Sequence, residues 1–360
     1  MKARVAAKTR PVARPRAVAT TRVAATARVI AKTVVVLVFS LATLIVGCST
    51  GTQEQAPWVD EEVTFEADGL TLHGTYRHRS GDEPAPAALL ISESGNTDRN
   101  GDNQVAGPIG NMRQLAELLS GRGVASLRYD KVGTGRTGLG PFQQNPQDVV
   151  SPVYTAGAQS ALRFLAERPA SDPTKLSIYA VGEGAIHAMT LAGDKSASAP
   201  RVHSLGLLQP MPGRYLDIIT NRVTADGSPE TVAAWRAAVE EIRSKGTVPT
   251  TLPDGLRSIV NPGNVRAVVE ADNIDPLALA AAVPAGTPVL LTCSDADSQA
   301  RCESMQPLVD ALQHTTLTVV EFDGVSHVLR DDASDSIANY ANQGPLSPQL
   351  VAALDDFVGE

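Results

Sequence analysis

A tight strand-to-helix turn is the feature that most constrains how this chain can fold. The apolar run Leu176–Tyr179 is typical of a buried strand, and it leads directly into residues 180–185, AVGEGA. Only one register fits a tight turn here: Ala180 and Gly184 take the two small positions, and Gly182 stands at the apex. The segment therefore predicts a strand that passes at once into a helix, which is the repeating unit of a parallel sheet.

Segments with strand and helix patterns alternate along most of the chain. The predicted strands are residues 63–65, 70–76, 87–92, 123–129, 176–180, 202–208, 288–292 and 316–322. The predicted helices are residues 111–119, 153–167, 184–191, 230–242, 303–312 and 348–358. This alternation predicts the α/β class, with a mostly parallel central sheet and helices on both faces.

The alternation stops between residues 210 and 284. This stretch contains two proline-rich passages and one long helical segment, and it has no clear strand pattern. We therefore expect an inserted helical cap at 210–284, which divides a core made of residues 58–209 and 285–360. Residues 48–57 are small and polar, and they are typical of a tether.

The N-terminal region has the pattern of an export signal. Its first 47 residues contain nine Lys or Arg and no acidic residue, and residues 33–46 form a 14-residue apolar run. A membrane-spanning helix needs about 20 apolar residues, so this run fits a signal peptide better than a permanent span. The run ends in Gly47-Cys48 and resembles a bacterial lipobox, which implies cleavage before Cys48 and lipidation of its thiol. We expect residues 1–47 to be a lipoprotein signal peptide, and the alternative is an uncleaved anchor with an incidental cysteine.

This prediction has consequences for location and for partners. A lipid on Cys48 would hold the exported protein on the outer face of the cytoplasmic membrane, in the cell envelope. The rest of the chain has 22 basic and 39 acidic residues, a net charge of −17. Binding to nucleic acid requires the opposite sign, because the phosphates must be neutralised, so no nucleic-acid partner is expected.

Two cysteines remain after Cys48. Outside the cytoplasm Cys293 and Cys302, nine positions apart, can form a disulfide, and the alternative is two separate buried thiols. Neither their spacing nor the residues around them suit a zinc site, so no metal is expected.

Residues 133–138, GTGRTG, match the G-x-G-x-x-G pattern of dinucleotide-binding proteins. That pattern must open a helix whose N-terminus faces the pyrophosphate, whereas here it continues into LGPF and further loop. We therefore predict a mobile or tightly turned glycine loop near the site, and no cofactor.

Residues 92–101, SESGNTDRNG, resemble the PGSGPTDRDG loop of bacterial α/β-hydrolase esterases related to serine aminopeptidases. Further segments resemble the same family in the same order. They are residues 122–138 (RGVASLRYDKVGTGRTG), 207–218 (LLQPMPGRYLDI), 288–299 (PVLLTCSDADSQ), and 322–329 with the later 345–348 (PLSP). The resemblance runs from about residue 70 to the C-terminus, and it implies the α/β-hydrolase fold.

The resemblance also implies a set of site residues. The turn at 180–185 corresponds to the nucleophile elbow, with Gly182 at the nucleophile position. Asp297 corresponds to the acid of the catalytic triad, with Asp295 as a competing candidate, and His327 corresponds to the triad histidine. The backbone N–H groups of Ser94 and Glu183 correspond to the oxyanion hole. Asp98 and Arg99 are interpreted as an ion pair, or as a pair that shapes the loop.

The chain departs from the family at the nucleophile position. Serine attacks the acyl carbon in such a triad, and glycine has no group that can do so. One hypothesis is a pseudo-hydrolase that binds an acyl, peptide-like or lipid-derived ligand, or a protein partner, without turnover. The alternative is an active hydrolase in which His327 and Asp297 activate a water in the space left by the missing side chain. Ser92 and Ser94 lie on the oxyanion loop and are not expected to reach His327.

Overall fold

The structure is a computed structural model that describes residues 56–93 and 95–359. The predicted signal peptide, Cys48 and Ser94 lie outside the described residues. An eight-stranded sheet of order β1-β2-β4-β3-β5-β6-β7-β8 runs through the described chain. Its strands are β1 (Trp58–Ala67), β2 (Leu70–Arg79), β3 (Ala85–Ile91), β4 (Ala125–Tyr129), β5 (Ser171–Val181), β6 (Ser204–Leu208), β7 (Pro288–Ser294) and β8 (Thr316–Phe322).

Strand β2 is antiparallel to both of its neighbours, and the pairs from β4 to β8 are all parallel. The helices are α1 (Asn111–Ser120), α2 (Ser151–Ala166), α3 (Gly184–Ala192), α4 (Tyr215–Asp226), α5 (Pro229–Lys245), α6 (Asp254–Arg257), α7 (Val265–Asp272), α8 (Pro276–Ala282), α9 (Gln306–Leu312), α10 (Ile337–Tyr340) and α11 (Pro348–Gly359). The mostly parallel α/β sheet expected from the sequence is therefore confirmed.

The sheet is covered on both faces, and the central strand β3 shows how. Ala87, Leu89 and Ile91 point into a core shared with α2, α3 and α9, whereas Ala88 and Leu90 point into a second core shared with α1 and α11. Successive side chains of β3 therefore face opposite cores, and the strand is apolar throughout. This is typical of parallel strands that lie between two layers of helices.

Residues 210–284 contain α4 to α8 and, within this stretch, no strand. These helices have an apolar cluster of their own, in which Trp235 of α5 is fully buried. The indole N–H of Trp235 donates to the Thr220 hydroxyl at 2.9 Å. A separate apolar cluster of this kind allows an inserted segment to pack beside the sheet without being part of it.

A buried carboxylate ties three of the inserted segments together. Asp272 at the end of α7 accepts hydrogen bonds from Leu216 N–H at 2.9 Å, Arg243 Nε at 2.8 Å and Arg214 at 3.1 Å. Burial favours the neutral acid, but the bonds from Arg243 and Leu216 dominate and lower the pKa of Asp272. The carboxylate therefore stays charged and holds α4 and α5 against α7.

The loop at residues 133–138 is tightly turned, which is one of the two forms predicted for it. Gly133 N–H donates to the carbonyl of Gly138 at 2.6 Å, and only a 3₁₀ turn, Gly140–Phe142, follows. Among the described helices, none is long and apolar enough to cross a membrane.

Replacing Asp272 with alanine should destabilise the protein by about 2 kcal/mol, because two partly exposed guanidinium groups and the Leu216 N–H lose their buried acceptor. Urea denaturation followed by circular dichroism measures this change. Asp254→Ala is the matched control, since Asp254 is fully exposed and lies 3.9 Å from its partner Arg257. It should leave the midpoint unchanged, and equal midpoints for the two variants would contradict this role of Asp272.

Candidate functional site

Four chain segments meet where the parallel strands end. The segment after β3 carries Glu93, the turn after β5 carries Gly182, and the loops after β7 and β8 carry Asp297 and His327. Strands β3, β5, β6, β7 and β8 are consecutive parallel neighbours, so their carboxyl ends lie along one edge of the sheet. Ligands of open α/β sheets bind at this edge.

The turn after β5 has the shape that the sequence predicts. Gly182 has a φ of 54°, in the left-handed region that glycine adopts most easily. A Cβ at Gly184 would stand only 2.8 Å from the carbonyl oxygen of Ile91, so the first turn of α3 packs directly on β3. Gly184 is therefore required by this close packing, and Gly182 avoids the strain that a side chain would have at its φ.

Asp297 and His327 are in contact and buried. His327 Nδ1 lies 2.7 Å from Asp297 Oδ2. The other carboxylate oxygen of Asp297 accepts the N–H groups of Gln299 at 2.7 Å and Ala300 at 3.0 Å. These bonds fix the carboxylate, which in turn fixes the orientation of the imidazole. Asp295, the competing candidate, is exposed and instead accepts the Gly324 N–H at 2.8 Å.

The other ring nitrogen of His327 faces a residue that the sequence interpretation missed. His327 Nε2 lies 2.8 Å from Glu93 Oε2, and the Glu93 side chain is 23% exposed. The second carboxylate oxygen, Oε1, is 3.5 Å from the backbone N of Glu183, one of the two predicted oxyanion donors. One carboxylate therefore contacts both the histidine and a backbone donor at the start of α3.

Glu93 occupies the space that a side chain at position 182 would need. A Cβ built on Gly182 would stand 1.5 Å from Glu93 Oε2 and 2.4 Å from its carboxyl carbon. Two atoms cannot share that volume, so a side chain at 182 and the observed position of Glu93 exclude each other. In the loop PGSGPTDRDG, which residues 92–101 resemble, the position of Glu93 is glycine. The differences at positions 93 and 182 from the motifs that these segments resemble are thus sterically complementary.

The two carboxylates determine the charge of His327. Burial alone would lower the pKa of the imidazole, but Asp297 and Glu93 on its two sides raise the pKa well above its ordinary value. The ring is therefore an imidazolium at neutral pH, with both N–H groups donating to carboxylates. In that state it has no lone pair with which to accept a proton.

A buried lysine supports Glu93 from the other side. Lys131, in the loop after β4, donates through Nζ to the backbone carbonyl of Glu93 and lies 5.5 Å from the centre of the Tyr154 ring. Burial lowers the pKa of Lys131, and it raises that of Glu183, whose charge faces the lysine. Lys131 thus fixes the backbone of the loop that carries Glu93, and the charges of Glu183 and Glu93 favour its protonated form.

The acid loop and the histidine loop are held together by a residue that sequence reasoning did not identify. Asp335 accepts Ser298 N–H at 2.9 Å, His327 N–H at 2.8 Å and the Tyr340 hydroxyl at 2.6 Å. Cys293 and Cys302 are joined by a disulfide, with Cα atoms 5.0 Å apart, and the bridge closes the loop that carries Asp297.

Arg99 does not pair with Asp98. Its guanidinium donates to Glu62 at 2.8 Å and to Asp130 at 2.9 Å, whereas Asp98 accepts the N–H groups of Asn100 and Asp102. The interpretation of Asp98 and Arg99 as an ion pair was wrong, because Asp98 shapes its own loop while Arg99 links that loop to β1.

A small cavity of about 10 Å³ adjoins the site, lined by Ser92, Lys131, Tyr154, Glu183 and His187. A larger open groove of about 600 Å³ runs between α4 and the loop that follows Asp297. Its lining includes Ile218, Arg222, Ser298 and Arg301. Within the described residues, no group of three or more His, Cys, Asp or Glu side chains is arranged to hold a metal ion.

Comparison with solved structures identifies the fold. The chain is similar to DcsB, solved in complex with its substrate analogue, with a TM-score of 0.55 and 16% identity over 84% of this chain and 98% of that one. It is also similar to the esterase Pf2001 of Pyrococcus furiosus, with a TM-score of 0.52 and 14% identity over 84% of this chain and 90% of the other. Est1E of Butyrivibrio proteoclasticus, solved with ferulic acid, gives a TM-score of 0.51 and 15% identity over 83% and 100%.

No protein-family model and no curated protein matches this sequence. The structural similarity, together with the eight-stranded sheet and its topology, shows that the chain has the α/β-hydrolase fold. At these identities the neighbours establish the fold and not the activity.

The two buried histidines should behave in opposite ways on titration. Burial, reinforced by the charge of Lys131, lowers the pKa of His187 to about 3, whereas His327 is held in its charged form. The ¹⁵N shifts of the ring nitrogens should therefore show His327 protonated and His187 neutral at pH 7. A neutral His327 at that pH would contradict the ion-pair geometry.

The same two residues affect the stability of the fold with opposite signs. His327 binds its proton more tightly in the folded state, so its stabilising contribution is complete below about pH 6.5 and is lost as the pH rises through its folded pKa. His187 is neutral when folded, so stability falls as the pH drops from about 6.5 towards its folded pKa. Unfolding free energies of the His187→Gln and His327→Gln variants across this range separate the two contributions.

Proposed function

We propose that this protein is a cell-envelope lipoprotein with a catalytically silent α/β-hydrolase fold. In this proposal it binds an acyl, peptide-like or lipid-derived ligand, or a protein partner, and does not turn it over. The observation that carries the proposal is the carboxylate of Glu93, which occupies the nucleophile position and is hydrogen-bonded to His327.

Three features of the site oppose acyl transfer. A serine triad needs a hydroxyl, a neutral histidine that accepts its proton, and free oxyanion donors. Gly182 supplies no hydroxyl, His327 is held as the imidazolium, and the Glu183 N–H faces Glu93 Oε1. Losing the nucleophile alone costs on the order of 10⁶-fold in turnover in a well-studied serine protease.

The alternative mechanism, in which His327 activates a water at the vacated position, requires the same space and the same proton acceptor. Glu93 Oε2 fills that space at 1.5 Å from the missing Cβ, and its hydrogen bond to Nε2 occupies the nitrogen that would act as the base. No observation in the described residues favours this mechanism over a binding role.

The proposal of an envelope location rests on the sequence. Its support is the apolar run of residues 33–46, the lipobox-like ending at Cys48 and the basic residues that precede them. The disulfide between Cys293 and Cys302 suits an oxidising compartment outside the cytoplasm.

Reactivation of the site tests the silent-hydrolase proposal. The parent protein and the single variants Gly182→Ser and Glu93→Gly should show no His327-dependent hydrolysis of p-nitrophenyl butyrate. The first variant places a side chain against Glu93, and the second has no nucleophile. The double variant has both a hydroxyl and a free His327, and it should gain at least about 100-fold over the parent, the lower range of general-base catalysis.

A fluorophosphonate should label the double variant and not the parent, which links the gain to the hydroxyl at 182. Serine at the φ of 54° also adds about 1–2 kcal/mol of backbone strain, so a small drop in thermal stability is expected with the gain. Parent activity that disappears in His327→Ala would overturn the proposal.

A further inference from the structure

We propose that the centre of the site is a receptor for the carboxylate of a free carboxylic acid, and that Glu93 is a tethered competitor for the same place. This inference rests on the proposed binding function and names the chemical class of its ligand. The observation behind it is that the imidazole of His327 and the backbone N–H of Glu183 both face the Glu93 carboxylate. This carboxylate lies beside Gly182, which has no Cβ.

The geometry around Glu93 is that of a carboxylate receptor. One oxygen of the carboxylate is 2.8 Å from His327 Nε2, and the other is 3.5 Å from Glu183 N. Gly182 contributes no side-chain atoms to this volume, which the Glu93 carboxylate fills. A carboxylate from outside would meet the same two donors, and bonds between charged donors and acceptors are roughly twice as strong as neutral ones.

The charges at the site favour an anion at this place. His327 is paired with Asp297 on one side and with Glu93 on the other, and Lys131 Nζ donates to the Glu93 backbone carbonyl. When Glu93 leaves, an incoming carboxylate restores the second ion pair of His327, whereas an ester, amide or alcohol in the same place does not.

Of Glu93, His327 and Asp297, Glu93 is the residue whose side chain can move out of the site. It lies in a loop beyond the end of β3 and its side chain is 23% exposed, whereas His327 and Asp297 are 4% and 0% exposed. A displaced Glu93 side chain therefore reaches water, where its charge is solvated, while the receptor stays in place. An incoming acid must compete with a carboxylate that is already attached to the chain, so its apparent affinity is lowered by the fraction of time that the receptor is occupied.

Removal of the competitor is the direct test. Acetate and butyrate are titrated into Glu93→Ala, with acetamide and butyramide as neutral probes of the same shape, and binding is measured by calorimetry at constant ionic strength. The acids should bind Glu93→Ala at least about tenfold more tightly than the parent, because the self-occupied state is gone. The amides should not bind, and adding His327→Ala should abolish binding of the acids.

Glu321→Ala serves as the matched control, since Glu321 is an exposed glutamate on the edge strand β8. It should retain the weak binding of the parent. If Glu93→Ala does not fold, Glu93→Gln removes the charge and keeps the volume, and it should also bind the acids more tightly than the parent. A folded Glu93 variant that binds acetate no better than Glu321→Ala, or that binds acetamide equally well, overturns the inference.

The outcomes separate this inference from the proposed function. His327-dependent ester hydrolysis by the parent refutes the silent-hydrolase proposal, and it is read from the esterase assay alone. A silent parent whose Glu93 variants do not bind carboxylates refutes only the receptor.

Discussion

One imidazolium ring between two carboxylates holds together the loops that follow β3, β7 and β8. Asp297, His327 and Glu93 come from three different loops, and His327 is joined to Asp297 at 2.7 Å and to Glu93 at 2.8 Å in a nearly buried setting. Charges are tolerated there only because they are paired, and removal of one partner would leave another without compensation. The conformations of the loops after β3, β7 and β8 are therefore linked through a single side chain, and Asp335 and the disulfide restrain the loops from outside.

Most of the fold was predictable because its central strands are apolar on both faces. Strands β3, β6 and β7 give continuous apolar runs, and their predicted bounds fall within a few residues of the observed ones. The predicted strands were too short where the observed strands are polar. Strand β1 begins at Trp58, five residues before the predicted start, because Val59–Glu62 are exposed at the sheet edge and show no alternation. Strand β5 likewise begins at Ser171, in a polar stretch.

The site was only partly predictable from the sequence. The order of elbow, acid and histidine along the chain pointed to Gly182, Asp297 and His327, and the structure brings all three together. Glu93 was missed because it stands between Ser92 and Ser94, in a loop that was expected to contribute only a backbone N–H to the oxyanion hole. The available signal was a charged residue at a position where the related motif has glycine. Lys131 was missed because its partner is a backbone carbonyl 38 positions away. Asp335 was missed because it accepts the backbone N–H groups of Ser298 and His327 on two different loops, which no spacing rule connects.

The exclusion between Gly182 and Glu93 limits the paths by which such a sequence can change. A side chain at 182 collides with a carboxylate, and a small residue at 93 exposes an imidazole that has nothing to activate. If the site is the silent hydrolase proposed above, neither substitution restores hydrolysis without the other, so that gain depends on a pair of changes in segments about 90 positions apart. In that case single substitutions offer no intermediate that selection for hydrolysis would favour, and the collision between a side chain at 182 and Glu93 would by itself preserve the present state of the site.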